Sequence, residues 1–102
     1  MSATEKLLQE ARILLEALEQ GDNGRVEDAL RRFQEAIEAA WNLYQQGRIN
    51  TAVRGLPKVM YMWAMEELPQ MVQEPSKWPE VRRQLAQFIN AVQLVVEPKE
   101  EA

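Results

Sequence analysis

The chain contains 102 residues, carries a formal net charge of −4 at pH 7 and is 46% hydrophobic. This length predicts one domain with a substantial core, and the acidic balance argues against a general affinity for nucleic acid or anionic lipid. Histidine and cysteine are absent, which excludes the most common general base, the most common transition-metal ligand, thiolate nucleophiles and disulfides. We therefore expect a protein that is not an enzyme and that uses no cofactor or metal.

The N-terminal residues lead directly into an amphipathic pattern and lack the apolar segment of a signal peptide. The longest uninterrupted apolar run, residues 59–65, would be about 10 Å long as a helix, whereas the hydrocarbon core of a bilayer is about 30 Å thick. Together these features predict a soluble, cytoplasmic protein.

Two amphipathic helices are predicted in the first half of the chain. The first covers about residues 3–20 and begins with a capping box formed by Ser2 and Glu5. Its polar face, which includes Glu10, is expected to be solvated. The second covers about residues 24–46, and the short connection between the two predicts an antiparallel hairpin.

Two further helices are predicted at about residues 56–68 and 77–96. Pro57 distorts the third helix near its start, and Pro69 ends or kinks it, because proline lacks the N–H that a helix interior requires. Residues 97–102 are expected to form a flexible, charged tail. The predicted fold is therefore a single all-α domain, an antiparallel four-helix bundle of up-down topology.

The third predicted helix is apolar on more than one side. At 100° per residue, one face contains Leu56, Val59, Met60, Trp63 and Ala64. The opposite face, which we call the second face, contains Tyr61, Met62, Met65 and Leu68. A bundle of this size covers one face more readily than both. The second face is therefore either core or a contact surface.

The leading functional hypothesis is a non-enzymatic interaction or assembly module that binds a second copy of itself, as a homodimer, or another protein. Its anchors would be the residues of the second face, Tyr61, Met62, Met65 and Leu68. Methionine repacks easily, and tyrosine offers a large contact area with few rotatable bonds. A symmetric pair of identical patches is the most common form of such an assembly.

An alternative hypothesis rests on basic residues near the start of the third helix. Arg48, Arg54 and Lys58 are close together in the sequence of an otherwise acidic chain. Arginine suits bidentate contact with phosphate. This group predicts a small helical subunit of a nucleoprotein complex that contacts the nucleic-acid backbone, unless the three cations pair with neighbouring carboxylates instead.

A third hypothesis comes from two carboxylate pairs at helical spacing, Glu16 with Glu19 and Glu35 with Glu38. This arrangement resembles that of the all-helical nucleotide pyrophosphohydrolases of the MazG type. The resemblance implies a hydrolase that depends on Mg²⁺, a cation that prefers oxygen ligands. The chain departs from the family because its denser acidic motif is missing, and a solvated helix face accounts for the same spacing.

Two single residues leave alternatives open. Trp78 lies in the Pro-containing connector before the last helix, where it either plugs the end of the bundle or remains exposed for a partner. Glu67 falls on the Trp63 side of the third helix. It either reaches solvent at the helix end or pairs with an arginine such as Arg82 or Arg83.

Overall fold

A computed structural model describes residues 2–51 and 55–98, with side chains described except at residues 50 and 95–98. The elements follow in the order α1 (Ala3–Gln20), α2 (Asn23–Gln45), β1 (Ile49–Thr51), α3 (Leu56–Met62), a π-helical turn (Trp63–Glu67), α4 (Leu68–Val72), a 3-10 turn (Pro75–Lys77), α5 (Trp78–Val95) and β2 (Val96–Pro98). Over these residues the fold is helical apart from one short pair of strands, and the radius of gyration is 13.2 Å.

Local hydrogen bonds define the start of α1 and the turn that follows it. The backbone N–H of Glu5 donates to Ser2 Oγ at 3.1 Å, and the Glu5 carboxylate accepts from the Ser2 N–H. The predicted capping box is therefore confirmed. Gly21, with φ of 71°, ends α1, and the Asp22 side chain accepts from the N–H of Arg25 to begin α2. Because only two residues separate the helices, α2 folds back and packs along α1.

The core lies where these two helices meet α4 and α5. Phe33 of α2 is fully buried, and its ring meets those of Trp63 and Phe88 edge-on, with centroid separations of 6.0 and 5.3 Å. Edge-to-face contacts of this kind add to the free energy gained by burial. The other large side chains that are fully buried are Leu14, Leu18, Val26, Leu68, Leu85, Val81 and Val92.

The helix does not end at Pro69. Instead α3, the π turn and α4 follow one another without an intervening loop, and α4 continues to Val72. The N–H of Leu68 donates to the carbonyl of Trp63, five residues earlier, rather than to the residue four earlier. In a regular α-helix the proline ring would clash with the carbonyl of Met65. The wider π turn relieves this clash.

Strand β1 pairs with β2 in antiparallel register, so that Ile49 lies opposite Pro98 and Thr51 opposite Val96. The sequence pattern does not predict this pairing. The expected tail, residues 97–102, is partly wrong, because residues 97 and 98 belong to β2. Residues 99–102 lie outside the described part of the chain.

The two ambiguous residues have defined positions. Trp78 is buried, and its Nε1 donates to the carbonyl of Val72 at 2.9 Å. It therefore closes one end of the helical core. Its hydrogen bond also satisfies a carbonyl at the C-terminus of α4, where the helix itself supplies no donor. Glu67 is exposed to solvent. Within residues 2–51 and 55–98, none of the helices combines the length and the apolar character needed to cross a membrane.

Candidate functional site

The second face does not remain together on the surface. Leu68 is fully buried in the core, so the prediction that it lies on an accessible face is wrong. Tyr61 and Met65 are half-buried and pack against the core, and Met62 is 45% exposed. Whether Met62 contacts a partner stays a prediction.

The second face is divided because of the helical register of the third helical segment, residues 56–72. Its buried positions Ala64, Leu68 and Val72 are four residues apart. In a regular α-helix a stripe of that spacing drifts by about 40° per step, given 3.6 residues per turn. The π turn takes up an extra residue and opposes this drift. The side of the segment that faces the core therefore lies between the two predicted faces and contains residues of both.

The open apolar side is instead the one that the sequence predicts to be covered. Val59 is 64% exposed, and it lines a groove of about 260 Å³ between the third helical segment and α5. The groove is lined by Leu56, Val59, Met60, Trp63, Gln84, Gln87, Phe88 and Ala91. Leu94, one turn beyond Ala91 on α5, is 82% exposed. We call this region the α3/α5 groove.

The groove exists because α3 and α4 pack on different neighbours. Helix α3 packs on α2, whereas α4 packs on α5. The π turn joins them and carries Trp63, whose ring stacks on Phe88 of α5 at 5.2 Å between centroids. Beyond this stack α3 leaves α5, and the space between the two helices opens to solvent.

Hydrogen bonds hold the floor of the groove. Trp63 Nε1 donates to Gln84 Oε1 at 2.7 Å, and Gln84 Nε2 donates to Glu80 Oε1 at 3.2 Å. Glu80 in turn forms an ion pair with Arg83. The Arg83 side chain, by hydrogen bonding, holds the pKa of Glu80 below its ordinary value, and Glu80 raises the pKa of Arg83. This series of hydrogen bonds, from Glu80 through Gln84 to Trp63, fixes the orientation of the indole ring.

The α5 side of the groove has the spacing of a helix-packing seam. Gln84, Gln87, Ala91 and Leu94 are separated by three, four and three residues, the spacing at which one helix packs along another. We call these four residues the α5 stripe. The stripe carries no formal charge, and neither do the described residues that line the groove.

A second helix supports the π turn from the opposite side. Because Leu68 donates to Trp63, the carbonyl of Ala64 loses its usual donor, and the next candidate is Pro69, which has no N–H. Gln34 of α2 donates from Nε2 to this carbonyl at 3.1 Å. Sequence reasoning missed Gln34. No sequence signal identifies it, because in a regular α-helix Pro69 would leave the carbonyl of Met65, rather than that of Ala64, without its donor.

An aromatic cluster lines a smaller apolar pocket near β1. The centroid of the Trp41 ring lies 5.6 Å from that of Tyr44 and 5.1 Å from that of Tyr61, with interplanar angles of 28° and 30°. Helix α1, α5 and β1 complete the walls around about 50 Å³ of space. Ligand pockets typically measure about 300–1,000 Å³. Tyr61 therefore has an internal packing role, and the pocket is too small to be the candidate site.

Glu10 corrects a further expectation, because it is only 2% exposed and does not belong to a solvated face. Its Oε1 lies 3.1 Å from Lys6 Nζ. Its Oε2 has no hydrogen-bond partner among the described residues. Ala36 and Ala39 of α2 lie beside it and leave room for the carboxylate between the two helices.

The three basic residues of the nucleic-acid hypothesis are only partly described. Arg48 is half-buried, Lys58 is exposed, and Arg54 lies outside the described residues. Their clustering and their contact with phosphate therefore stay predictions. Binding of RNA that weakens steeply with salt would support them.

The two carboxylate pairs of the hydrolase hypothesis are solvent-exposed. Glu16, Glu19, Glu35 and Glu38 all lie on the surface. Glu16 accepts a hydrogen bond from Gln20 Nε2 at 3.2 Å. In the part of the chain that the structure describes, no three acidic residues are close enough to hold a metal ion.

The chain matches no protein-family model, no curated protein and no solved structure. Its function is therefore inferred from its own residues. The α3/α5 groove combines exposed apolar side chains, uncharged walls and a floor held by hydrogen bonds. Surfaces with these properties are typical of the centre of protein–protein contacts.

Proposed function

We propose that the protein is a non-enzymatic protein–protein interaction module that binds its partner in the α3/α5 groove. Its scaffold would be an antiparallel four-helix bundle of up-down topology. The two-residue connection between α1 and α2, and the packing of α5 on both α1 and α4, support this topology. The observation that carries the function is the exposure of Val59 and Leu94 beside an uncharged groove.

The occupant that suits this groove is a single amphipathic helix. The groove runs between two helical elements, and the α5 stripe has the three-and-four spacing that accepts the apolar stripe of another helix. A stable contact buries about 800 Å² per partner, roughly an eighth of the protein's 6157 Å² surface.

The chemistry of the walls favours an apolar rather than a charged ligand. Burial of a charge carries a desolvation cost that a partner must offset, and the described walls of the groove hold no charge that would need this compensation. The hydrogen bond between Trp63 and Gln84 also satisfies the indole N–H before any partner arrives. Covering the groove therefore buries mainly apolar surface, which is favourable.

A defined helical probe tests the proposal. The probe is a hydrocarbon-stapled, fluorescent 18-residue helix with leucines at heptad a and d positions and glutamines beside them. Wild-type protein should bind it saturably in an anisotropy titration. Val59→Glu should weaken binding at least tenfold, because it places a carboxylate at the edge of the groove.

Met62→Glu is the matched control, since Met62 is an exposed apolar residue of the same helix that does not line the groove. This variant should bind within twofold of wild type. A probe in which glutamines replace the leucines should not bind. Equal binding by wild type and Val59→Glu would contradict the proposal, and selective loss in Met62→Glu would transfer the site to the second face.

A further inference from the structure

We infer that the α3/α5 groove selects a helix whose apolar stripe is interrupted by one amide side chain, asparagine or glutamine, and that Gln87 is the residue that makes this selection. The inference rests on the proposed function, because it describes the partner of the same groove. It goes further by stating which of two helices with otherwise equal apolar stripes the groove prefers.

Two glutamines of α5 line the groove, and they differ in how their amides are used. The Gln84 amide accepts from Trp63 Nε1 at 2.7 Å and donates to Glu80 Oε1 at 3.2 Å. A partner would therefore cover an amide that already has hydrogen bonds at both ends. The Gln87 side chain is exposed and forms no hydrogen bond with the described residues. Before a partner binds, its amide can be satisfied only by water.

Gln87 lies in the part of α5 that a partner helix would cover. It is the second residue of the α5 stripe, between Gln84 and Ala91, and it belongs to the lining of the groove. Its neighbour Phe88 is buried and stacks on Trp63. A helix that packs along the stripe therefore passes over Gln87 and displaces the water from its amide.

Covering an unpaired amide has a free-energy cost, because its hydrogen bonds to water are lost and an apolar side chain offers none in return. An asparagine or glutamine opposite Gln87 removes this cost, since each amide has both a carbonyl acceptor and N–H donors. A charged side chain could also form a hydrogen bond, but its desolvation costs more. The described walls of the groove hold no opposite charge to offset that cost.

The position of Gln87 also fixes where the partner's amide must lie. A single polar residue in an otherwise apolar helix seam specifies the register of the two helices. The next residue of the stripe, Ala91, is small and leaves space for a large apolar side chain of the partner. The preferred helix therefore carries its amide three or four positions from a large apolar residue, because these are the spacings of one helix face.

A panel of stapled helices tests the inference on the full chain. Each helix is the leucine-bearing probe with one leucine replaced by asparagine, at a different a or d position in each. Fluorescence anisotropy gives the dissociation constant of each helix relative to that of the leucine probe. At one position this ratio should be lower in wild type than in Gln87→Leu by about fivefold or more, the effect of one buried unpaired amide. The ratio cancels the general gain in affinity from an added apolar side chain.

Gln93→Leu is the matched control, since Gln93 is an exposed glutamine of α5 that does not line the groove. Its ratios should stay within twofold of those of wild type. A decrease as large as that in Gln87→Leu would overturn the inference, because the preference would not come from the groove.

The remaining outcomes separate the inference from the proposed function. If the leucine probe binds wild type and no asparagine position distinguishes Gln87→Leu from wild type, Gln87 stays hydrated at the edge of the complex. That result would overturn the inference and leave the proposed function intact. If no helix of the panel binds wild type, both are overturned.

Discussion

The third helical segment, residues 56–72, has two sides of similar composition in different surroundings. Ala64, Leu68 and Val72 face the core and are buried, whereas Val59 and Met62 are exposed. Apolar character does not distinguish the two sides. What distinguishes them is where neighbouring helices lie, and the π turn aligns the buried positions with those neighbours.

The two ends of the third helical segment also differ in what they pack against. Helix α4 packs on α5 and leaves little of its apolar surface exposed, but α3 packs on α2 and leaves Val59 beside open space. The third helical segment and α5 therefore form part of the core at the α4 end and enclose the α3/α5 groove at the α3 end. Predictions about stability test the first end, and predictions about binding test the second.

The largest expected effect is the difference in the free energy of unfolding between Leu68→Ala and Val59→Ala. Leu68 is fully buried, so its truncation should lower the free energy of unfolding by about 2–5 kcal/mol. Val59 is 64% exposed, and its truncation should change the same quantity by less than about 0.5 kcal/mol. Urea denaturation followed by far-UV circular dichroism measures both. Similar values for the two variants would show that the assignment of the sides is wrong.

An intermediate effect is expected from the support of the π turn. Gln34→Met keeps the length of the side chain but removes the donor to the Ala64 carbonyl. An unpaired buried carbonyl costs about 1–3 kcal/mol, which urea denaturation would detect.

Pro69→Ala provides the control for this interaction. It restores a backbone N–H that can donate within the helix, so Gln34→Met should cost less in the Pro69→Ala background. A double-mutant cycle measures the difference. If Gln34→Met costs the same in both backgrounds, the glutamine does not compensate for the proline.

The smallest effect concerns the ion pair at the start of α5. The hydrogen bond from Arg83 lowers the pKa of Glu80. The pair therefore stabilises the fold at pH values above the pKa of an unfolded glutamate, and this contribution is lost as the pH falls through the lowered value. The stability difference between wild type and Glu80→Gln should be greatest near pH 7 and decrease towards pH 3.

Because Glu80 and Arg83 are exposed, salt should also reduce this difference. Urea denaturation at low and high salt, at each pH, separates the ion pair from other effects of acid. A difference that is independent of both pH and salt would show that the pair does not contribute. The same result would mean that the hydrogen bond between Trp63 and Gln84 is maintained without help from the charges of Glu80 and Arg83.

Features that depend on nearby residues could be predicted from the sequence. The capping box of Ser2 and Glu5 is an example, because its hydrogen bonds join residues three apart. The buried positions of α1 and α2 also follow the helical period, for instance Leu14 and Phe33. Glu10 shows the limit, since its position on a helical wheel does not reveal that two alanines of α2 leave space for it.

The site could be predicted only in part. The apolar run of the third helix pointed to a surface that a small bundle leaves uncovered, but the exposed residues are Val59 and Met62, one from each predicted face, and Leu68 is buried. A wheel of constant 100° steps cannot include a π turn. Gln34 and Gln84 were missed because a glutamine on a helix has no pattern that identifies its hydrogen-bond partner.

The sequence by itself determined a helical chain, its caps and the apolar stripes of α1, α2 and α5, because these depend on interactions within one or two turns. Only the tertiary structure decided which side of residues 56–72 is open. That choice depends on the divergence of α3 from α5 and on a π turn forced by Pro69 and supported by a residue 30 positions away in the chain. Such interactions between distant residues are absent from any local pattern.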